Sequence, residues 1–167
     1  MENWLAQGIG GIAFFVGVMA FWQKDDIRFR YQMMTFCFIM SAHFALMGAT
    51  VAAIGVIINA IRSFASIKTQ SRKVMWFFIG LMWLMTLPNI THFFELLTVI
   101  GSSVATWALF SKQGIPLRSL ILFNSFCWVC HNIWLGSIGG SLVESTFIIT
   151  NLITIYQLYQ TKKSCRR

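Results

Sequence analysis

Charged positions divide this chain into long apolar runs. Trp4 to Trp22 carries no charge. After a polar break, Tyr31 to Ile61 again carries no formal charge, with Gly48-Ala49-Thr50 near its middle. A bilayer core of about 30 Å takes roughly 17–25 helical residues per crossing. The first run fits one crossing. The second overshoots, and reads as a hairpin of two short helices turning at Gly48. Val74 to Thr86 is a shorter run that ends at Leu87-Pro88-Asn89. Phe93 to Phe110 follows, with Glu95 near its start. Ser119 to Thr161 carries Glu144 alone, and the turn signal Gly136-Ser137-Ile138-Gly139-Gly140 divides it in two. The pattern predicts an all-α membrane protein with seven transmembrane helices.

Composition closes off the soluble alternatives. Hydrophobic residues make up 57% and charged residues 11%, against roughly 45–50% and about 25% in an average soluble domain. A soluble fold of 167 residues could not hide that much apolar surface, because most of a small domain is exterior. Cys37, Cys127, Cys130 and Cys165 lie in apolar runs or the tail and imply no disulfide framework. The first run follows the acidic Met1-Glu2-Asn3 and closes without a small-residue cleavage site, so it reads as a retained span.

The net charge of +8 takes its meaning from position. Basic residues sit between the apolar runs, where cytoplasmic loops carry them, so no nucleic-acid partner is implied. With seven crossings, all 13 basic residues fall on one face. If Val74–Thr86 did not cross, they would split 7 to 6 between the two sides. The positive-inside rule selects the first arrangement, with the N-terminus outside and the C-terminus cytoplasmic.

Sliding the chain on itself by 88 residues gives a run of matches. Ala20-Phe21-Trp22-Gln23-Lys24 faces Ala108-Leu109-Phe110-Ser111-Lys112. Ile27 then faces Ile115, Arg30 faces Arg118, His43 faces His131 and Gly48 faces Gly136. After a four-residue insertion, Asn59 faces Asn151. Coincident Lys, Arg, His, Gly and Asn point to an internal repeat of three helices. Residues 1–66 form the first repeat, 67–90 a cytoplasmic loop and linker helix, and 91–167 the second repeat with its basic tail. The odd linker restores orientation, so the two triplets lie parallel, a 3+1+3 pattern like that of SWEET transporters.

The segments Trp4-Leu5-Ala6-Gln7-Gly8, Ile57-Ile58-Asn59-Ala60-Ile61-Arg62 and Trp128-Val129-Cys130-His131-Asn132 resemble the YgjV family of bacterial inner-membrane proteins. So do Thr106-Trp107-Ala108-Leu109-Phe110 and Gly136-Ser137-Ile138-Gly139-Gly140. The resemblance runs from about residue 4 to residue 160 and implies a place in the bacterial inner membrane. It also implies a likeness to the SWEET/PQ-loop superfamily, which holds sugar and amino-acid transporters and also sorting receptors. Members of that superfamily carry prolines in the first helices of each triplet. Here the prolines are Pro88 and Pro116, both near loops, so any hinge falls to glycines such as Gly10-Gly11, Gly17 or Gly101.

Polar groups in lipid are costly, so each needs a partner or a task. Asn59 and Asn151 lie about eleven residues past their turns, in the membrane interior. The SWEET resemblance implies that these third-helix asparagines line a substrate site; their bland role is interhelical hydrogen bonding. His43 and His131 fall five residues before a turn glycine, and Trp128 lies one turn before His131. Glu144 lies four residues past Gly140, which suggests a pairing with His131. Glu95 enters its helix one turn after His92. Asn59, Asn151, Trp128, His43 and His131 are therefore candidate substrate-binding residues, and Glu144, Glu95 and His92 candidates for a proton-sensitive outer gate. Interfacial anchoring is their alternative role.

Cys127-Trp128-Val129-Cys130-His131 spells a c-type haem attachment motif, but it lies inside an apolar run where attachment could not occur. His92-Phe93-Phe94-Glu95 offers two ligands, too few for a metal site. With no nucleophile–base pair, no cofactor and no metal expected, an enzyme is the least favoured class. The favoured one is a carrier of a small polar, sugar-like solute, with a polar site between the triplets. A non-transporting sorting or sensing receptor is the rival. The implied partners are the lipid bilayer and such a solute, with a homo-oligomer left open.

Overall fold

A computed structural model describes residues 4–46, 50–90, 92–134 and 138–164. Among them, secondary structure is helical throughout, with no strand. The α-helices are α1 (Trp4–Trp22), α2 (Asp26–Leu46), α3 (Thr50–Lys68), α4 (Arg72–Thr86), α5 (Phe93–Ser111), α6 (Gly114–Trp134) and α7 (Ile138–Ser164). A short 3-10 turn, Leu87–Asn89, extends α4, with Pro88 where its missing N–H costs nothing. The turn expected at Gly48 and the Gly136 end of the second one lie outside the described residues.

Helix starts follow capping chemistry. Asp25 accepts the Arg28 backbone N–H at 2.8 Å, satisfying an orphan donor at the start of α2. At the start of α5, the Glu95 carboxylate accepts the His92 backbone N–H at 3.0 Å. Glu95 thus does the work of a cap.

Several helices outrun the uncharged segments. α2 begins before Arg30, α3 continues past Arg62, and α6 begins before Arg118. These arginines are helical, and all three are buried, where charge position alone put them in loops. Arginine is a good helix former, and its long stem lets a charge sit at the end of an apolar helix. For the same reason, of the helices searched within the described residues, Phe93–Ser111 is the one both long and apolar enough to cross a membrane; Gly8–Trp22 is apolar but shorter.

The chain forms two compact units, Met1–Thr69 and Gln70–Arg167. In the first, α2 packs against both α1 and α3. α1 turns small residues inward, with Ala6, Ala13 and Ala20 fully buried, and large ones outward, with Leu5, Ile12, Phe15 and Met19 each more than half exposed. A water-soluble helix would do the reverse. In lipid, small residues let backbones approach while bulky apolar ones meet the acyl chains. Phe21 and Phe29 close the α1–α2 corner edge to face, 5.6 Å apart.

In the second unit α4 packs on α5, α5 on α6 and α6 on α7. The Trp83 indole N–H donates to the Ser103 hydroxyl at 3.1 Å, and Phe78 meets Phe110 at 6.3 Å, tying α4 to α5. Val99, Gly101, Ala105, Ala108 and Leu109 form the buried face of α5.

Candidate functional site

Two of the sequence candidates, Asn151 and Glu144, lie along the α6–α7 seam of the second unit. Asn151 is fully buried. Its amide nitrogen donates to the Arg118 carbonyl at 2.9 Å, while its Oδ1 is buried without a hydrogen-bond partner. Arg118 lies four residues into α6, so Asn151 sits about one turn from the Gly114 end of that helix. Two turns back along the same face of α7 is Glu144. The buried Ser125 hydroxyl of α6 donates to its carboxylate, and its Oε2 is buried with no hydrogen-bond partner.

His131 does not pair with Glu144. Its ring meets Trp128 edge-on at 5.8 Å and Trp134 at 5.9 Å, and its buried Nδ1 has no hydrogen-bond partner. The reason is register. α7 begins at Ile138, so Gly139 and Gly140 are already helical, and Glu144 lies a turn deeper than a five-residue turn would place it. There it faces Ser125, six residues from His131. Trp134 also receives His92, with ring centroids 5.0 Å apart, and stacks on Phe94 at 5.5 Å. Candidates His92 and His131 thus meet on an indole that pattern reading did not single out, and Trp128 joins them through His131.

In the first unit the same residue types are arranged differently. His43 Nδ1 lies 2.8 Å from the Ala6 carbonyl. A carbonyl only accepts, so Nδ1 carries the proton. The Asn59 carbonyl accepts the Ser63 hydroxyl at 2.9 Å, but its side-chain Oδ1 is buried without a partner. Arg30 Nη1 donates to the Ser66 carbonyl at 2.8 Å, joining α2 to the last turn of α3. Sequence reasoning missed Ser125 and this use of Arg30. The 88-residue alignment pairs Arg30 with Arg118 and Ser125 with Cys37, which marks the arginines but says nothing of either contact.

Among the described residues no group of three or more His, Cys, Asp or Glu is placed to hold a metal ion. What the seam offers is acceptor capacity. The buried oxygens of Asn151 and Glu144 can each take a hydrogen bond from a hydroxyl, an ammonium or water, or in the case of the carboxylate a proton, and in the first unit the Asn59 oxygen has the same capacity.

A model of the bacterial inner membrane protein family Imp-YgjV matches residues 4–162. The chain belongs to this family. It is similar to inner membrane protein YgjV of Escherichia coli (strain K12), with 41% identity over 160 residues, covering 96% of this chain and 87% of that one. No solved structure matches. Membership in Imp-YgjV makes the chain a multi-pass protein of the bacterial inner membrane.

Proposed function

We propose that this protein is a carrier for a small polar, sugar-like solute, built as two parallel three-helix repeats joined by α4. In this 3+1+3, SWEET-like arrangement the N-terminus is outside and the C-terminus cytoplasmic. The observation that carries the reading is the pair of asparagine oxygens. Asn59 in α3 and Asn151 in α7 each keep a buried Oδ1 without a partner. An unfilled buried acceptor is costly, typically about 1–3 kcal/mol. A polar solute that donates to it recovers that cost.

Coincident burial supports the repeat. At the 88-residue shift, buried Ala13 faces buried Gly101, Ala20 faces Ala108, Phe29 faces Leu117, Arg30 faces Arg118 and Cys37 faces Ser125. In both units the second helix of the triplet packs against the other two. The receptor reading draws on a different observation. The Asn151 amide nitrogen already bonds Arg118, as packing glue would.

The deciding experiment is a thermal-stability screen of the purified protein against sugars, sugar acids and amino acids. A solute that stabilises the wild type, but not the Asn59→Leu/Asn151→Leu double variant, supports the carrier. No stabilisation by any of the three classes overturns it in favour of the receptor.

A further inference from the structure

Glu144 is the one carboxylate within the second repeat that does not cap a helix. Its setting is unusual for an ionised acid. Among the described residues its hydrogen-bond partner is the Ser125 hydroxyl, and Oε2 is buried with no hydrogen bond. α6 packs against α7, and its ionisable residues are Arg118, Cys127, Cys130 and His131. The Arg118 main-chain carbonyl is held by Asn151, seven residues along α7 from Glu144 and so about 10 Å away along the axis. His131 engages Trp128 and Trp134. Cys127 is buried against Gly101, and Cys130 is on the exposed side.

A carboxylate in lipid without a cationic partner is expensive. A serine partner also has a property that an arginine or lysine lacks. Its hydroxyl donates to the carboxylate and accepts from the carboxylic acid equally well. The Ser125 bond therefore survives either protonation state and fixes neither. A single carboxylate with one hydroxyl is too sparse a set for a metal cation, which needs several oxygens. It is sufficient for a proton.

We propose that Glu144 is a proton-binding site in the α6–α7 seam, where the carboxyl takes up and releases a proton while Ser125 holds it in place. Coupling of that proton to a solute rests on the carrier reading; proton exchange at Glu144 stands without it. The repeat makes the site one-sided, because the residue facing Glu144 in the first repeat is Ala52.

The test is infrared difference spectroscopy of the purified protein in lipid vesicles, stepped across neutral pH in water and in deuterium oxide. The wild type gains a protonated-carboxyl C=O band on acidification, and deuterium shifts it. Glu144→Gln loses the band and Glu95→Gln keeps it. Ser125→Ala keeps the band at a shifted frequency, because the carboxyl has lost its hydrogen bond. That shift identifies the group even if Glu144→Gln fails to fold. A wild type with no titrating band, a band unchanged in Glu144→Gln, or an unshifted band in Ser125→Ala would each overturn the site. A titrating band at Glu144, in a protein that none of the three solute classes stabilises, would support the proton site and overturn the carrier reading alone.

Discussion

Gly101 on α5 and Cys127 on α6 meet so closely that a Cβ built on the glycine would lie 2.8 Å from the Cys127 Cβ. The Asn124 Oδ1 would be 3.1 Å away and the Cys127 Sγ 3.2 Å. Glycine here is a packing device. It lets two backbones approach in a medium where close dispersion contact, and not the expulsion of water, drives helix association. Gly10 plays a related part in the first unit, where a Cβ would stand 3.1 Å from the His43 Nδ1.

Gly101→Ala should therefore destabilise the second unit by about 1–3 kcal/mol, the usual range for overpacking a tight contact. The source of the clash gives the check. Cys127→Ala removes Sγ but keeps the Cβ at 2.8 Å, so it should rescue little. Cys127→Gly removes the Cβ and should recover most of the loss beyond its own helix penalty of about 1 kcal/mol. Thermal melts of the single and double variants in detergent measure this. Equal rescue by Ala and Gly would show that the sulfur was the obstacle.

The two asparagines should respond differently to the same substitution. Asn151→Leu removes the 2.9 Å bond to the Arg118 carbonyl, a loss of about 0.6 kcal/mol on average for such bonds in membranes. Asn59→Leu removes a buried oxygen that had no partner, so stability should hold or rise. Melts without ligand distinguish the two. A larger loss at Asn59 than at Asn151 would contradict this assignment.

The elements were legible in the pattern of charges, and the contacts between them were not. Apolar runs bounded by Lys and Arg give each helix, including the short α4, because uncharged length is what a bilayer demands. The ends were misplaced where an arginine continues the helix, as at Arg30, Arg62 and Arg118. Charge marks the edge of the lipid and not the end of the hydrogen-bonded backbone. The Glu144 partner was missed through a turn counted too long by the residues Ile138 to Gly140. One turn of helix was enough to exchange His131 for Ser125. Trp134 gave no sequence signal beyond being aromatic near a helix end.

Arg30 should be a stability residue. Its Nη1 donates at 2.8 Å to the Ser66 carbonyl, one of the last four carbonyls of α3, which no helical N–H reaches. Arg30→Met keeps the apolar stem but leaves that buried carbonyl without this donor, at a cost of about 1–3 kcal/mol. Arg30→Lys should fall between, since the ammonium keeps the charge but loses the reach of the planar guanidinium. Urea or thermal denaturation of the three proteins gives the order. Lysine proving worse than methionine would mean that the charge itself, and not the donor, is the burden.

Topology turns on α4, the shortest of the helices. Its 15 residues rise about 22 Å at 1.5 Å each, short of a hydrocarbon core of about 30 Å. The 3-10 turn Leu87–Asn89 adds about 6 Å at its steeper rise, bringing the element close to the needed span. Crossing puts every Lys and Arg of the chain on one side, and not crossing divides them between both, which the positive-inside rule opposes. A reporter fused after Arg167 should therefore be active in the cytoplasm, and one inserted at Asn89 should be active outside. Deleting the 3-10 turn, with the reporter moved to Ile90, should weaken the outside signal, because α4 alone is too short. An Asn89 reporter active in the cytoplasm with an Arg167 reporter active outside would make α4 a surface helix, invert the second triplet, and leave the two triplets antiparallel.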